Sequence, residues 1–182
     1  MAATGVDAGL LWALLGGVVL PLWLLAGVAD YACHARMDLA HTSGRRESAL
    51  HLLQLAEIGV PLLAFLFLEV TAATLLLMLA GVAAHTATSW RDIRYAAATR
   101  TIPPFEQYVH SFLNVLPWLA LALVAILHWP AVAQLVDWGL RWREPPFPVA
   151  VVAAVLVASA VLVVVPGAWE FLHASRAGNA SR

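Results

Sequence analysis

Residues 52–84, LLQLAEIGVPLLAFLFLEVTAATLLLMLAGVAA, form a long, mostly apolar run that decides how often the chain crosses a membrane. A helix rises 1.5 Å per residue and needs about 20 residues to span roughly 30 Å of hydrocarbon, so this run is too long for one span. With its flanks it divides into two helices if the chain turns at Glu69, Val70 and Thr71, where Thr71 is a suitable N-cap. The alternative is one long helix kinked at Pro61, which gives four spans.

The composition is that of a membrane protein. Hydrophobic residues make up 62% of the 182 residues and charged residues only 12%, whereas a soluble domain carries about 25% charged residues. The mean hydropathy is +0.82. We therefore predict an all-α integral membrane protein. The net charge of -1 and the lack of a basic tail argue against nucleic-acid binding.

Other apolar runs complete the predicted set of spans. Counting the divided run as two, the sequence predicts five transmembrane helices in a single domain over residues 1–182. Their predicted limits are 8–29, 47–68, 72–95, 106–128 and 148–166. The N-terminus lacks the basic segment of a signal peptide, so we keep the first run as a true span.

The arginines predict the orientation in the membrane, because all ten basic residues are arginine and they are unevenly distributed. With five spans, only Arg141 and Arg143 fall on one side. The opposite side holds Arg36, Arg45, Arg46, Arg91, Arg94, Arg100, Arg176 and Arg182. The positive-inside rule makes that side cytoplasmic and the N-terminus external, in a bacterial-type inner membrane. Tryptophans in the external loop predict an interfacial helix over residues 131–142.

Each of the first four helices carries an acid and a histidine at its cytoplasmic end. Three pairs are four residues apart, as in DYACHARMD, ESALH and EQYVH, and one pair is seven apart; either spacing puts both residues on one helical face. The pairs are Asp30 and His34, Glu47 and His51, His85 and Asp92, and Glu106 and His110. One such pair alone is typical of a solvated or capping pair. Four pairs at one depth indicate a common site, because ionisable groups in membranes are costly and usually functional.

The chemistry of these groups predicts a metal site in an antiparallel bundle of four helices. Clustered carboxylates repel one another, and two divalent cations would neutralise four of them while binding imidazole nitrogens. Mixed nitrogen and oxygen ligands favour iron, with manganese or zinc as alternatives. The arrangement is similar in ligand logic to the ferritin-like di-iron carboxylate proteins, although those use a Glu-x-x-His spacing.

Further polar residues lie near the predicted site. Asp38 and His41 are interpreted as solvent-side residues that follow the first helix. Glu170 and His173, three residues apart at the end of the fifth span, are interpreted as an outer flank. Any of these four side chains could still contribute a ligand.

Three residues lie deeper in the spans than the acid and histidine pairs. Gln54 and Asn114 continue the stripes of His51 and His110, and they suit either hydrogen bonds to the ligands or packing between helices. Glu57 lies on a different face, where a buried acid either relays protons or bonds a neighbouring group.

The sequence leaves three classes of function open. The favoured one is an oxidoreductase that uses two metals and oxygen, or a related oxidant, on a lipid or quinone-like substrate from the bilayer. The alternatives are a zinc-dependent hydrolase and a non-catalytic metal-binding or transport protein. Eight ligands argue against an open zinc site, and the lack of a polar stripe to the external face argues against transport. Membrane lipids are the expected partners, and a homo-oligomer is compatible with the sequence.

Overall fold

The computed structural model describes residues 7–37, 44–134 and 136–180. In this part of the chain the regular secondary structure is helical, apart from one isolated bridge between Leu68 and Trp142. Five of the described helices are long and apolar enough to cross a membrane, the same number as the spans that the sequence predicts. They are α1 (Ala8–Arg36), α2 (Gly44–Phe67), α3 (Ala72–Thr99), α4 (Pro104–Leu127) and α6 (Val149–Ala177). The short helix α5 (Trp129–Gln134) lies between α4 and α6.

The turn between α2 and α3 lies where the sequence predicts it, so the four-span alternative is wrong. α2 ends at Phe67, and the Thr71 hydroxyl caps α3 by accepting a hydrogen bond from the Thr74 amide at 3.2 Å. The same hydroxyl donates to the Gly139 carbonyl at 3.0 Å. Because Pro61 lies inside α2, it does not end the helix.

Pro61 lies at a close contact between α2 and α3. Proline has no amide hydrogen, so the Glu57 carbonyl lacks its usual helical partner. Gly81 of α3 packs against this point: a Cβ at Gly81 would lie 2.7 Å from the Pro61 ring and 2.9 Å from the Glu57 carbonyl oxygen. The missing side chain therefore allows the two helices to approach.

We expect Gly81→Ala to lower the free energy of unfolding by about 1–3 kcal/mol, because the new methyl group forces α3 away from α2. Helix propensity alone would favour alanine by roughly 1 kcal/mol. Gly59→Ala is the matched control, since a Cβ at Gly59 meets no atom within 4 Å. Thermal unfolding in detergent measures both variants. A Gly81→Ala protein as stable as the Gly59→Ala protein would contradict the close contact.

Each long helix packs against two others. α1 contacts α4 and α6, α2 contacts α3 and α6, and α3 contacts α4. We call the end of the helices that carries Asp30, Glu47 and Glu106 the polar end, and the other the opposite end. At the opposite end α6 is loosely packed, and its segment Val149–Ser159 has no buried residue.

The loop before α6 differs from its prediction. The tryptophan pattern predicts a helix over residues 131–142, whereas the short helix α5 covers only Trp129–Gln134 and residues 136–148 are irregular. The backbone of this loop lies against the α2–α3 turn, and the Glu69 amide of the turn donates a hydrogen bond to the Arg141 carbonyl of the loop at 3.0 Å. These backbone bonds satisfy groups that helix ends leave unpaired, and a helical loop could not supply them.

Candidate metal centre

Carboxylates and imidazoles from all five long helices converge at the polar end. Within the described residues, they form four overlapping groups of three side chains whose potential ligand atoms lie within 4.8 Å of one another. The members are Asp30, His34, Glu47, His51, Asp92, Glu106, His110 and Glu170. The structure thus brings together seven of the eight residues that the sequence predicts as ligands, and adds Glu170 from α6.

Glu170 contacts two histidines at once. Its Oε2 lies 3.1 Å from His34 Nδ1, and its Oε1 lies 3.1 Å from His51 Nδ1. An ionised carboxylate only accepts hydrogen bonds, so both Nδ1 atoms are the donors. The two rings stack in parallel, with 4.5 Å between centroids and 4° between planes. Carboxylates hold metal-binding histidines in this way, which leaves Nε2 free to bind an ion.

The Nε2 atoms of the histidines face carboxylate oxygens. His51 Nε2 lies 3.0 Å from Asp92 Oδ2, and His110 Nε2 lies 3.0 Å from Asp30 Oδ1. Each distance is also that of a hydrogen bond, but His51 Nε2 and Asp30 Oδ1 are buried and have no partner at a suitable hydrogen-bond angle in the described part of the chain. Two atoms that each lie about 2.1 Å from one ion are about 3.0 Å apart at octahedral angles and about 3.4 Å apart at tetrahedral angles, with their lone pairs directed at the ion. The contacts therefore fit the spacing of metal ligands.

His34 lies in the middle of the cluster. Its Nε2 is 3.3 Å from Glu106 Oε1, 3.8 Å from Asp30 Oδ1 and 3.9 Å from Glu47 Oε1. The side chain is 1% exposed. Because Glu170 fixes the proton of the neutral ring on Nδ1, the unprotonated Nε2 faces three acceptors, and a cation or a second proton must lie between them.

Arg100, in the loop after α3, binds two of the carboxylates. Its Nη2 lies 2.5 Å from Oε1 of both Glu47 and Glu106, and both glutamates are fully buried. Its Nε and Nη1 reach the second oxygens of the two glutamates at 3.2 and 3.1 Å. Burial acts to lower the pKa of Arg100, but the hydrogen bonds to Glu106 and Glu47 outweigh it and raise the pKa above its ordinary value. The guanidinium therefore stays charged.

The charges of the cluster match two divalent cations. Five carboxylates surround the site, and Arg100 compensates one negative charge. With neutral imidazoles, four negative charges are left. Each buried charge without a partner costs several kcal/mol. Two divalent ions, or protons on the histidines, must offset that cost.

No similarity to known proteins assigns this site. No protein-family model matches the sequence, and no curated protein or solved structure is significantly similar to it. The donor set itself is informative, because imidazole nitrogens with carboxylate oxygens suit iron, manganese or zinc and do not suit calcium or magnesium, which take oxygen ligands.

His85, which the sequence predicts as a ligand, lies outside these groups. Its Nδ1 is 3.3 Å from the Gln54 carbonyl oxygen and its Nε2 is 3.3 Å from the Leu113 carbonyl oxygen. The reason is helical geometry: His85 is seven residues from Asp92, roughly 10 Å along the axis, whereas the other pairs are four residues apart, roughly 6 Å. His85 therefore lies about one turn deeper than the other histidines.

The two deeper amides take different roles. Gln54 Nε2 donates to Asp92 Oδ2 at 3.1 Å, which orients that carboxylate as the sequence suggests. Asn114 instead donates to Ser89 Oγ at 2.8 Å and to a carbonyl of its own helix, so it links α4 to α3.

The other candidates stay outside the cluster. Glu57 accepts a hydrogen bond from a threonine hydroxyl of α3 at 2.8 Å, and its Oε2 is buried with no described partner. His173 is exposed and packs on Trp169, with 4.3 Å between ring centroids. Asp38 and His41 lie outside the described residues.

Two neighbouring cavities lie among the helices, and the smaller one borders the cluster. One, of about 430 Å³, lies between the long helices and has apolar walls that include Trp12, Phe65 and Val124. The other, of about 70 Å³, is bounded in part by Asp30, His51, His85 and Glu170. Both are lined by Trp23 and Ile58. An apolar ligand in the larger cavity would therefore lie next to the cluster.

Proposed function

We propose that this protein is a membrane-embedded di-metal protein of the carboxylate and histidine type, and that it is an oxidoreductase acting on a lipid or another membrane-soluble substrate. The pair of unaligned 3.0 Å contacts at His51 and His110 carries the metal assignment. The apolar cavity beside them carries the class of substrate. Iron is the favoured metal, and manganese and zinc are the alternatives.

The residues divide into ligands and supports. Nε2 of His34, His51 and His110 would supply nitrogen, and Asp30 and Asp92 would supply oxygen. Glu47 and Glu106, held by Arg100, have oxygens within reach of His34 and complete the set. Glu170 orients the two stacked imidazoles. Bound iron would supply redox chemistry, while the apolar surroundings exclude water from the reacting groups.

The walls of the larger cavity favour an enzyme over an ion transporter. An ion that crossed between the helices would have to pass a cavity lined by apolar side chains, where charge is strongly disfavoured. The arginine distribution supports a cytoplasmic location for the polar end, in an inner membrane of bacterial type.

Elemental analysis of protein purified without added metal tests the proposal. We expect two metal ions per chain and a change in visible absorption on chemical reduction. Zinc alone, with no such change, would favour a hydrolase. Protein that carries no metal and takes up none on addition of ferrous, manganous or zinc ions would contradict the proposal, and would assign the cluster to a hydrogen-bonded network with protonated histidines.

A further inference from the structure

Arg143 lies in the loop at the opposite end and has no ion-pair partner among the described carboxylates. Its Nη2 donates to the Phe65 carbonyl at 2.8 Å, and its Nε is buried without a hydrogen-bond partner in the part of the chain described. Arg141, two residues earlier, differs: it pairs with Glu69 at 3.0 Å and with Asp137. Burial lowers the pKa of Arg143. A partly buried charge without an ion-pair partner is costly, so a bound anion would stabilise it.

The guanidinium of Arg143 sits at the rim of the larger cavity. Its Cζ lies 4.4 Å from the centroid of the Phe147 ring and 5.4 Å from that of Phe65. Both rings also line the 430 Å³ cavity. The structure thus combines a cation with an apolar chamber directly behind it, which is the pattern that an amphiphile with an anionic head requires.

The size and the lining of the cavity suit an apolar chain. A volume of about 430 Å³ lies within the range of about 300–1,000 Å³ that is typical of pockets for small ligands. The apolar walls suit a hydrocarbon chain. Trp12 and Trp23 of α1 line its two ends and are roughly 16 Å apart along the helix.

The polar end sets the direction of the chain. Beyond Trp23 and Ile58, the smaller pocket has a volume of only about 70 Å³, which suits the narrow end of a chain better than a bulky head. With its carboxylates offset by cations or by protonated histidines, this pocket has no net positive charge to attract an anionic head. The head therefore belongs at Arg143 and the tail at the cluster.

We infer that the cavity binds one long-chain fatty acid, with its carboxylate on Arg143 and its chain directed toward the cluster of carboxylates and histidines. Val149–Ser159 of α6, which has no buried residue, provides the loosely packed side for entry from the bilayer. The inference rests on the proposed function only where it makes the fatty acid a substrate. Binding itself requires no metal.

Equilibrium binding of radiolabelled tetradecanoate to the full-length protein in phosphatidylcholine nanodiscs tests the site. We expect Arg143→Gln to weaken binding about 10- to 100-fold, because a charge-assisted hydrogen bond to a buried group is lost. Arg141→Gln, the matched control on the same loop, should bind tetradecanoate as the unchanged protein does. Binding of uncharged tetradecanol should be equal in the Arg143→Gln and unchanged proteins.

A second variant fills the chamber and leaves the charge in place. Ala120 of α4 lines the cavity, and Ala120→Phe should abolish binding of both the acid and the alcohol. Metal content is measured in the same samples, so tetradecanoate binding by metal-free protein would support the lipid site and contradict only the proposed metal enzyme. Equal binding by the Arg143→Gln and Arg141→Gln proteins would overturn the inference. So would parallel loss of tetradecanol binding in Arg143→Gln, or displacement of tetradecanoate by equimolar phosphatidylglycerol.

Discussion

Arg100→Ala is expected to lower the free energy of unfolding by about 3–5 kcal/mol, the cost of removing one partner from a buried ion pair. Glu47 and Glu106 are fully buried and would lose the guanidinium that both of them bind. Arg100→Lys should lower the free energy of unfolding measurably, but by less than Arg100→Ala does. An ammonium keeps the charge but cannot bind two carboxylates in a planar fork.

Thermal unfolding in detergent measures these variants. Arg91→Ala is the control, since Arg91 is an exposed arginine of the same helix end. Adding Glu106→Gln to Arg100→Ala removes one of the two unpaired charges and should restore part of the loss. If the Arg100→Ala protein melts like the Arg91→Ala protein, or if the double variant is less stable than the single, the shared counter-charge is not what stabilises the polar end.

His51→Ala and His110→Ala are expected to reduce metal affinity by more than the 10- to 100-fold that is typical for partners of ligands. Each change removes an Nε2 that lies 3.0 Å from a carboxylate oxygen. The melting temperature should fall as well, because bound metal stabilises only the folded state. Glu170→Gln should have the smaller effect of 10- to 100-fold, since it acts on the histidines and not on the metal directly.

His128→Ala is the control, because His128 follows α4 at the opposite end. His85→Ala distinguishes the prediction made from the sequence from the prediction made from the structure. The sequence predicts that this variant loses metal, whereas the contacts of the His85 ring with two backbone carbonyls predict that it retains metal. Equal metal loss in the His51, His110 and His128 variants, or none in any of them, would show that the acid and histidine pairs only mark helix ends.

The spans were predictable because their signals are local. Apolar length fixes the number of helices, and Thr71 has the side chain that an N-cap needs, so the turn after Phe67 could be placed without knowledge of the fold. The spacing of each acid and histidine pair also predicts that both of its residues lie on one face of their helix. Their convergence then required only that the four helix ends that carry these pairs lie on the same side of a membrane.

The remaining features depend on contacts between distant parts of the chain. Glu170 is three residues from His173, a spacing that favours a surface pair, and only the packing of α6 on α1 and α2 brings it to the histidines. Arg100 is one of several arginines near the polar end, and no local pattern distinguishes it. The loop after α5 becomes irregular because its backbone pairs with the α2–α3 turn, which no periodicity within the loop can indicate.

The position of Glu170 on α6 also has a consequence for biogenesis. A nascent chain that has inserted only its first four spans already holds seven of the eight clustered side chains, but it lacks the carboxylate that orients His34 and His51. Under the proposed function, metal loading should therefore follow translation of the fifth span. Until then the translocon or a chaperone would have to shield the polar helix ends from the lipid.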